Sequence, residues 1–144
     1  MSRWIVLDSS VVLKWFIRSE PLRLAADRLL EDFREGRHKF VVPDLLFYEV
    51  GNVLSKKWPQ ASAIVESCLT RLWNLPWFLM PLSRLLVART ANLATQRGIS
   101  YYDALFLATA EKADAVLYTA DQAFLKKVSD YPFAKPLESL QESP

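Results

Sequence analysis

The chain of 144 residues reads as an α/β fold, an open parallel sheet covered by helices on both faces. Three observations carry that reading. Short apolar runs alternate with segments of helical spacing. The runs are almost continuously hydrophobic, as strands buried on both faces are, instead of alternating with polar residues. No internal repeat, low-complexity tract or linker divides the chain, so one domain over residues 1–144 is expected, large enough to bury a core.

Each element has a local reason. Trp4-Ile-Val-Leu7 is a β-rich run, and Asp8-Ser-Ser turns it into an apolar segment, Val11 to Ile17, that reads as a helix. Leu22 to Glu35 carries leucine and alanine at helical spacing and closes at Gly36. Phe40-Val-Val42 is a second strand, stopped by Pro43, and Asp44 to Lys57 and Ala61 to Trp73 follow as helices. A short strand from Phe78 to Pro81 leads into the helix Arg84 to Arg97, which Gly98 ends. Ser100 starts a helix through Ala113, Ala115 to Tyr118 is a buried strand, Asp121 to Val128 is helical, and Phe133 to Leu137 forms a last strand. The tail after Glu138 is expected to fray.

Composition narrows the function classes. Hydrophobic residues make up 51% and charged residues 24%, the balance of a globular protein and not of a disordered one. The longest apolar stretch, Leu69 to Ala88, is interrupted by Arg71, Pro76, Pro81 and Arg84, so no transmembrane helix is expected. Asp8 and Lys14 break the apolar run that follows Arg3, and no small-residue cleavage site appears, which argues against a secretory signal and for a cytoplasmic protein. The single Cys68 excludes an internal disulfide and a Cys-rich zinc site, and His38 alone excludes a histidine-rich one. With only Gly36, Gly51 and Gly98 available, no glycine-rich phosphate loop can be assembled. Net charge is +2; setting four acids aside for metal leaves +6 on a chain with 18 Lys and Arg, which suits a polyanionic substrate and equally an ordinary basic surface.

In open parallel sheets the ligand crevice lies beyond the carboxyl ends of the strands. Asp8 stands there directly after the first strand, and Asp121 stands there after Tyr118-Thr-Ala. Taken singly, either acid is also an ordinary helix N-cap. Glu49 interrupts an apolar helix face between Leu45 and Leu46 behind and Asn52 and Val53 ahead, so it needs a cation, a hydrogen-bond partner or a Lys or Arg salt bridge. Asp103 faces inward among Ile99, Ser100, Phe106 and Leu107, or else completes a capping box with Ser100. As a set, Asp8, Glu49, Asp103 and Asp121 all lie at one end of one sheet. Clustered carboxylates repel unless a divalent cation neutralises them, and hard oxygen donors favour Mg²⁺ or Mn²⁺. Such ions activate water for in-line attack on a phosphodiester, which is nuclease chemistry.

At these residues the chain resembles the PIN domain family, in particular the VapC-like toxins of toxin–antitoxin pairs. The resemblance runs nearly end to end, through Val6-Leu-Asp8-Ser-Ser10 with Lys14-Trp15, Pro43-Asp-Leu-Leu-Phe-Tyr-Glu49 with Asn52, Ser100-Tyr-Tyr-Asp103-Ala104, and Tyr118-Thr-Ala-Asp121. It implies a Rossmann-like three-layer α/β/α sandwich with a parallel sheet of four to five strands. It also implies a metal-dependent endoribonuclease whose Asp8, Glu49, Asp103 and Asp121 hold one or two Mg²⁺ or Mn²⁺ ions. Ser10 and Thr119 would line the site and orient acids or water. The partners implied are an RNA substrate, an antitoxin protein and a second copy in a homodimer, with Trp15, Trp58, Trp73 and Trp77 as apolar anchors unless they are core. Lys56 and Lys57 would meet phosphate or simply be a solvated helix end. Ser9, where many relatives have a smaller residue, is a departure that leaves the acids untouched.

Other readings are weaker. A haloacid-dehalogenase-type phosphatase needs a second Asp where Ser10 stands. A non-catalytic PIN scaffold is expected to lose one or more acids, and all four are present. A housekeeping RNA-processing nuclease would keep the acids without an antitoxin.

Overall fold

The computed structural model describes residues 4–19 and 21–142. Arg3 and the final two residues of the tail lie outside them. Five strands form one sheet: β1 (Trp4–Leu7), β2 (Lys39–Val42), β3 (Phe78–Leu79), β4 (Val116–Thr119) and β5 (Ala134–Pro136). Their order is β3-β2-β1-β4-β5, and each neighbouring pair is parallel. Ile5, Val6, Leu7, Phe40, Val41, Val42, Val116 and Leu117 are all buried. Successive strand residues point to opposite faces, so both faces of the sheet are covered, which is why the runs read as continuously apolar.

The helices are α1 (Ser9–Val12), α2 (Arg23–Arg34), α3 (Leu45–Lys57), α4 (Ser62–Trp73), α5 (Arg84–Arg97), α6 (Tyr101–Ala113) and α7 (Gln122–Lys127). The apolar helix α6 packs against β1, β2 and β4, and α5 covers α6. Ser83 caps α5 by accepting from the Leu86 amide at 3.1 Å, and Gly98, at φ +62°, ends it in the left-handed conformation that a glycine adopts freely. Among the described residues no helix is long and apolar enough to cross a membrane.

Topology positions the site. The chain steps outward from β1 to β2 and β3, then returns to the other side of β1 for β4 and β5. The direction reverses between β1 and β4, the place where such sheets open a crevice. Leu7 is in register with Tyr118, so the next residues, Asp8 and Thr119, lie side by side at the carboxyl end of the two strands.

Four elements differ from expectation. The first helix is only Ser9–Val12, followed by a tight 3-10 turn over Leu13–Trp15 instead of a helix to Ile17. There the Trp15 indole donates to the Ala26 carbonyl at 2.8 Å and draws the turn onto α2, a tertiary contact that local spacing does not contain. The edge strands are shorter than the apolar runs that announced them, two residues in β3 and three in β5. The tail, expected to fray after Glu138, instead forms a 3-10 helix over Leu137–Glu142. Leu137 is fully buried, Leu140 packs against the core, and the Leu140 carbonyl accepts from Arg28 at 3.0 Å.

Candidate active site

Asp8 stands at the N-cap position of α1, yet its side chain does not cap the helix. It is 5% exposed, and both carboxylate oxygens accept from hydroxyls: Ser10 Oγ reaches Oδ1 at 2.5 Å and Thr119 Oγ1 reaches Oδ2 at 2.5 Å. The hydroxyls are aimed by the backbone. Ser10 Oγ accepts from the Ala120 amide at 2.9 Å, and Thr119 Oγ1 accepts from the Asp121 amide at 3.1 Å. An oxygen that already accepts from an amide turns its own proton elsewhere, here onto Asp8. Two relays, amide to hydroxyl to carboxylate, thus run from the β4–α7 turn into one buried acid. Burial nevertheless dominates and pushes the Asp8 carboxyl up to about 6; the two hydroxyls and, more weakly, the Val11 amide oppose that rise, and Asp103 adds to it.

Glu49 lies one turn into α3, half-buried, and takes a hydrogen bond from Ser9 Oγ at 3.3 Å on Oε1. Among the described residues it forms no salt bridge with Lys or Arg, so the ion-pair explanation of its inward position does not hold there. Burial raises its pKa, Ser9 restrains the rise, and Asp103 adds to it. Ser9, which sequence reasoning set aside, thereby acquires a partner; its position next to Asp8 was the available signal.

Asp103 occupies the first turn of α6, where its amide donates to Ser100 Oγ at 3.0 Å. The helix-capping reading of the Ser100 motif therefore holds for the backbone. Its carboxyl is also pushed above the ordinary range, first by burial and then by Asp121, while Ser100 and Lys127 pull it down. Lys127 was missed, because nothing local links a lysine in α7 to an acid in α6. Asp121 is exposed, and its Oδ1 caps α7 by accepting from the Phe124 amide at 3.1 Å. That is the ordinary role foreseen for it, and Oδ2 remains for other work.

Repulsion from Asp103 or upon it thus links all four acids, with Asp103 at the centre of the set. The donors fit a hard divalent cation chemically: all four are carboxylates, and at Asp8, Glu49 and Asp103 burial and repulsion disfavour ionisation without a positive partner. They do not form a closed ligand set. Among the described residues, no group of three or more His, Cys, Asp or Glu is assembled to hold a metal ion.

The tryptophans divide. Trp15 and Trp77 stack at 6.2 Å between centroids, and Trp77 packs on Phe33 and Phe40 and donates to the Leu72 carbonyl at 2.7 Å. Both are core. Trp73, 61% exposed, and Trp58 instead line a groove of about 950 Å³ between α3 and α4, with Phe47, Tyr48 and Leu69. Lys56 and Lys57 are exposed in the last turn of α3, two turns from Glu49.

The comparisons with known proteins agree with this architecture. The family model described as PIN domain matches residues 5–130. Among solved structures, the chain is similar to a toxin–antitoxin complex from Klebsiella pneumoniae, at 20% identity over 92% of this chain and 97% of that one, with a TM-score of 0.66. It is similar to Mycobacterium tuberculosis VapC20, described as a sarcin-ricin loop cleaving toxin, at 18% identity over 90% and 95% of the two chains, with a TM-score of 0.67. It is also similar to VapBC2 from Rickettsia felis bound to a DNA fragment from their promoter, at 14% identity over 92% and 98%, with a TM-score of 0.68. No curated protein matches the chain.

Proposed function

The chain belongs to the PIN domain family, and from that premise we propose that it is a metal-dependent endoribonuclease and the toxin of a toxin–antitoxin pair. One observation carries the reading: a buried aspartate at the topological switch point, hydrogen-bonded on both oxygens by Ser10 and Thr119 and electrostatically tied to a half-buried Asp103. A purely structural aspartate would lower its energy by capping α1 or meeting a cation; Asp8 makes no side-chain cap bond to α1, and burial lifts its pKa to about 6 against the Ser10 and Thr119 hydroxyls and the Val11 amide.

Mg²⁺ or Mn²⁺ bound among Asp8, Glu49, Asp103 and Asp121 would supply an activated water and charge stabilisation for hydrolysis of an RNA phosphodiester. The protein's own part is positional. Ser10 and Thr119 hold the Asp8 carboxylate at a fixed angle, each oxygen keeping a lone pair for a ligand. Ser9 steadies Glu49 across the crevice. Asp103 and Asp121 are more open to solvent and are free to adjust as the charges are neutralised.

An antitoxin is the partner that the neighbouring structures suggest, since several are toxin–antitoxin complexes. The groove between α3 and α4 offers it an apolar seat, with Trp73 as an exposed anchor. A homodimer in the cytoplasm completes the proposal.

The test is cleavage of a labelled RNA by the purified chain with and without Mg²⁺. Activity should vanish with chelator and fall by at least a hundredfold in Asp8→Asn. An Asp8→Asn protein that cuts as fast as wild type, free of contaminating nuclease, would sink the proposal.

A further inference from the structure

Two aromatic side chains stand beside the acids without structural employment. Tyr101 and Tyr102 open α6, immediately before Asp103, and are 42% and 59% exposed. Neither belongs to the core or to the residues packed against it. Among the described residues neither side chain has a hydrogen bond, ring contact or cation–π contact. The three other tyrosines differ: Tyr131 is buried and hydrogen-bonded to Glu111 at 3.1 Å, Tyr118 is partly buried against the core, and Tyr48, though exposed, reaches Asp44 at 3.5 Å and lines the apolar groove. Leaving two large rings in water forgoes the burial that aromatic residues normally gain.

Their setting suggests a use. Lys127 reaches the same end of the molecule, its ammonium donating to the Gly98 carbonyl at 2.8 Å and attracting Asp103. Exposed aromatic faces at the same end of a molecule as a positive charge are the parts from which proteins build tracks for unpaired nucleotides, with bases stacking on rings and phosphates meeting the cation. A duplex keeps its bases stacked on one another and offers nothing to such rings.

We propose that Tyr101 and Tyr102 form a stacking platform that positions the unpaired bases next to the scissile phosphate. The proposal rests on the ribonuclease reading and adds the residues that would select unpaired RNA. Both rings contact substrate, and neither takes part in bond breaking.

The test measures binding in Asp8→Asn, so that substrate survives, using a fluorescein-labelled single-stranded RNA and the same sequence as a duplex. Tyr101→Ala and Tyr102→Ala should each weaken single-strand binding roughly tenfold and leave duplex binding unchanged, whereas Tyr→Phe at either position should preserve it. Unchanged single-strand affinity in both alanine variants overturns the platform, as does a Phe variant that fails like Ala, which would make the hydroxyl the contact. Wild-type cleavage of the same single strand is scored separately. Cleavage with ring-independent binding overturns the platform alone; ring-dependent binding without cleavage upholds the platform and overturns the nuclease reading.

Discussion

The seam between β1 and β4 and the rim formed by α6 and α7 each hold acids of the candidate site, and they hold them differently. At the seam Asp8 is buried and fixed by two hydroxyls whose own orientation is set by backbone amides. At the rim Asp103 is half-buried and Asp121 exposed, and both spend part of their hydrogen bonding on helix starts. The seam supplies precision and the rim supplies reach: a ligand held tightly on one side can be met by carboxylates that adjust on the other. Rigidity at Asp8 is achieved against desolvation, so the seam stores the larger electrostatic penalty.

That penalty gives the largest expected effect. The folded Asp8 titrates near 6 against 3.8 for an unperturbed carboxyl. Its bound proton therefore stabilises the fold fully below pH 3.8, and the contribution is lost as pH rises through about 6. A shift of about two units corresponds to roughly 3 kcal/mol. Thermal melts of metal-free protein should show stability falling from pH 4 to pH 7, with Glu49 and Asp103 shifted in the same direction. Asp8→Asn should flatten most of the fall, and Mg²⁺ should restore wild-type stability at pH 7. An equally steep fall in Asp8→Asn would show that the seam is not where the penalty lies.

A smaller effect tests the relays. Thr119→Val keeps shape but removes the donor to Asp8 and the acceptor for the Asp121 amide. Cleavage should drop about 10- to 100-fold. The acidic limb of its pH–rate profile should move to higher pH, because a hydrogen bond that favours the charged carboxylate is gone. A drop in rate without that displacement would mean Thr119 acts only through packing.

The smallest effect concerns the rim. Asp121→Asn retains an N-cap oxygen, so its unfolding free energy should stay within the few tenths of a kcal/mol expected among good caps. Its Mg²⁺ requirement should nonetheless rise several-fold. If neither changes, Asp121 is a cap and the metal set is reduced to the other acids.

What the sequence made legible follows the same division. The central strands are plain because burial on both faces leaves an uninterrupted apolar run, and Asp8 and Asp121 are plain because they stand directly after such a run or two residues beyond it. The pairing of Ser10 and Thr119 on Asp8 depends on the register of β1 against β4, across 109 residues between the two hydroxyls, and no local pattern encodes it. Residue type alone does not separate the core Trp15 and Trp77 from the groove-lining Trp58 and Trp73; only the packing of α3 on α4 does. The docked tail had a signal that went unused, since Leu137 and Leu140 share a spacing suited to one face of a helical turn.

The brevity of β3 and β5 bears on self-association. Among the described residues both margins of the sheet end in strands of two and three residues, and the last position of β5 is Pro136, which has no amide proton to offer. Such margins cannot template another strand, which protects a parallel sheet from growing into fibrils or swapped ribbons. Pairing of two copies is therefore expected to use helical surfaces, and a two-fold contact there closes on itself at two chains.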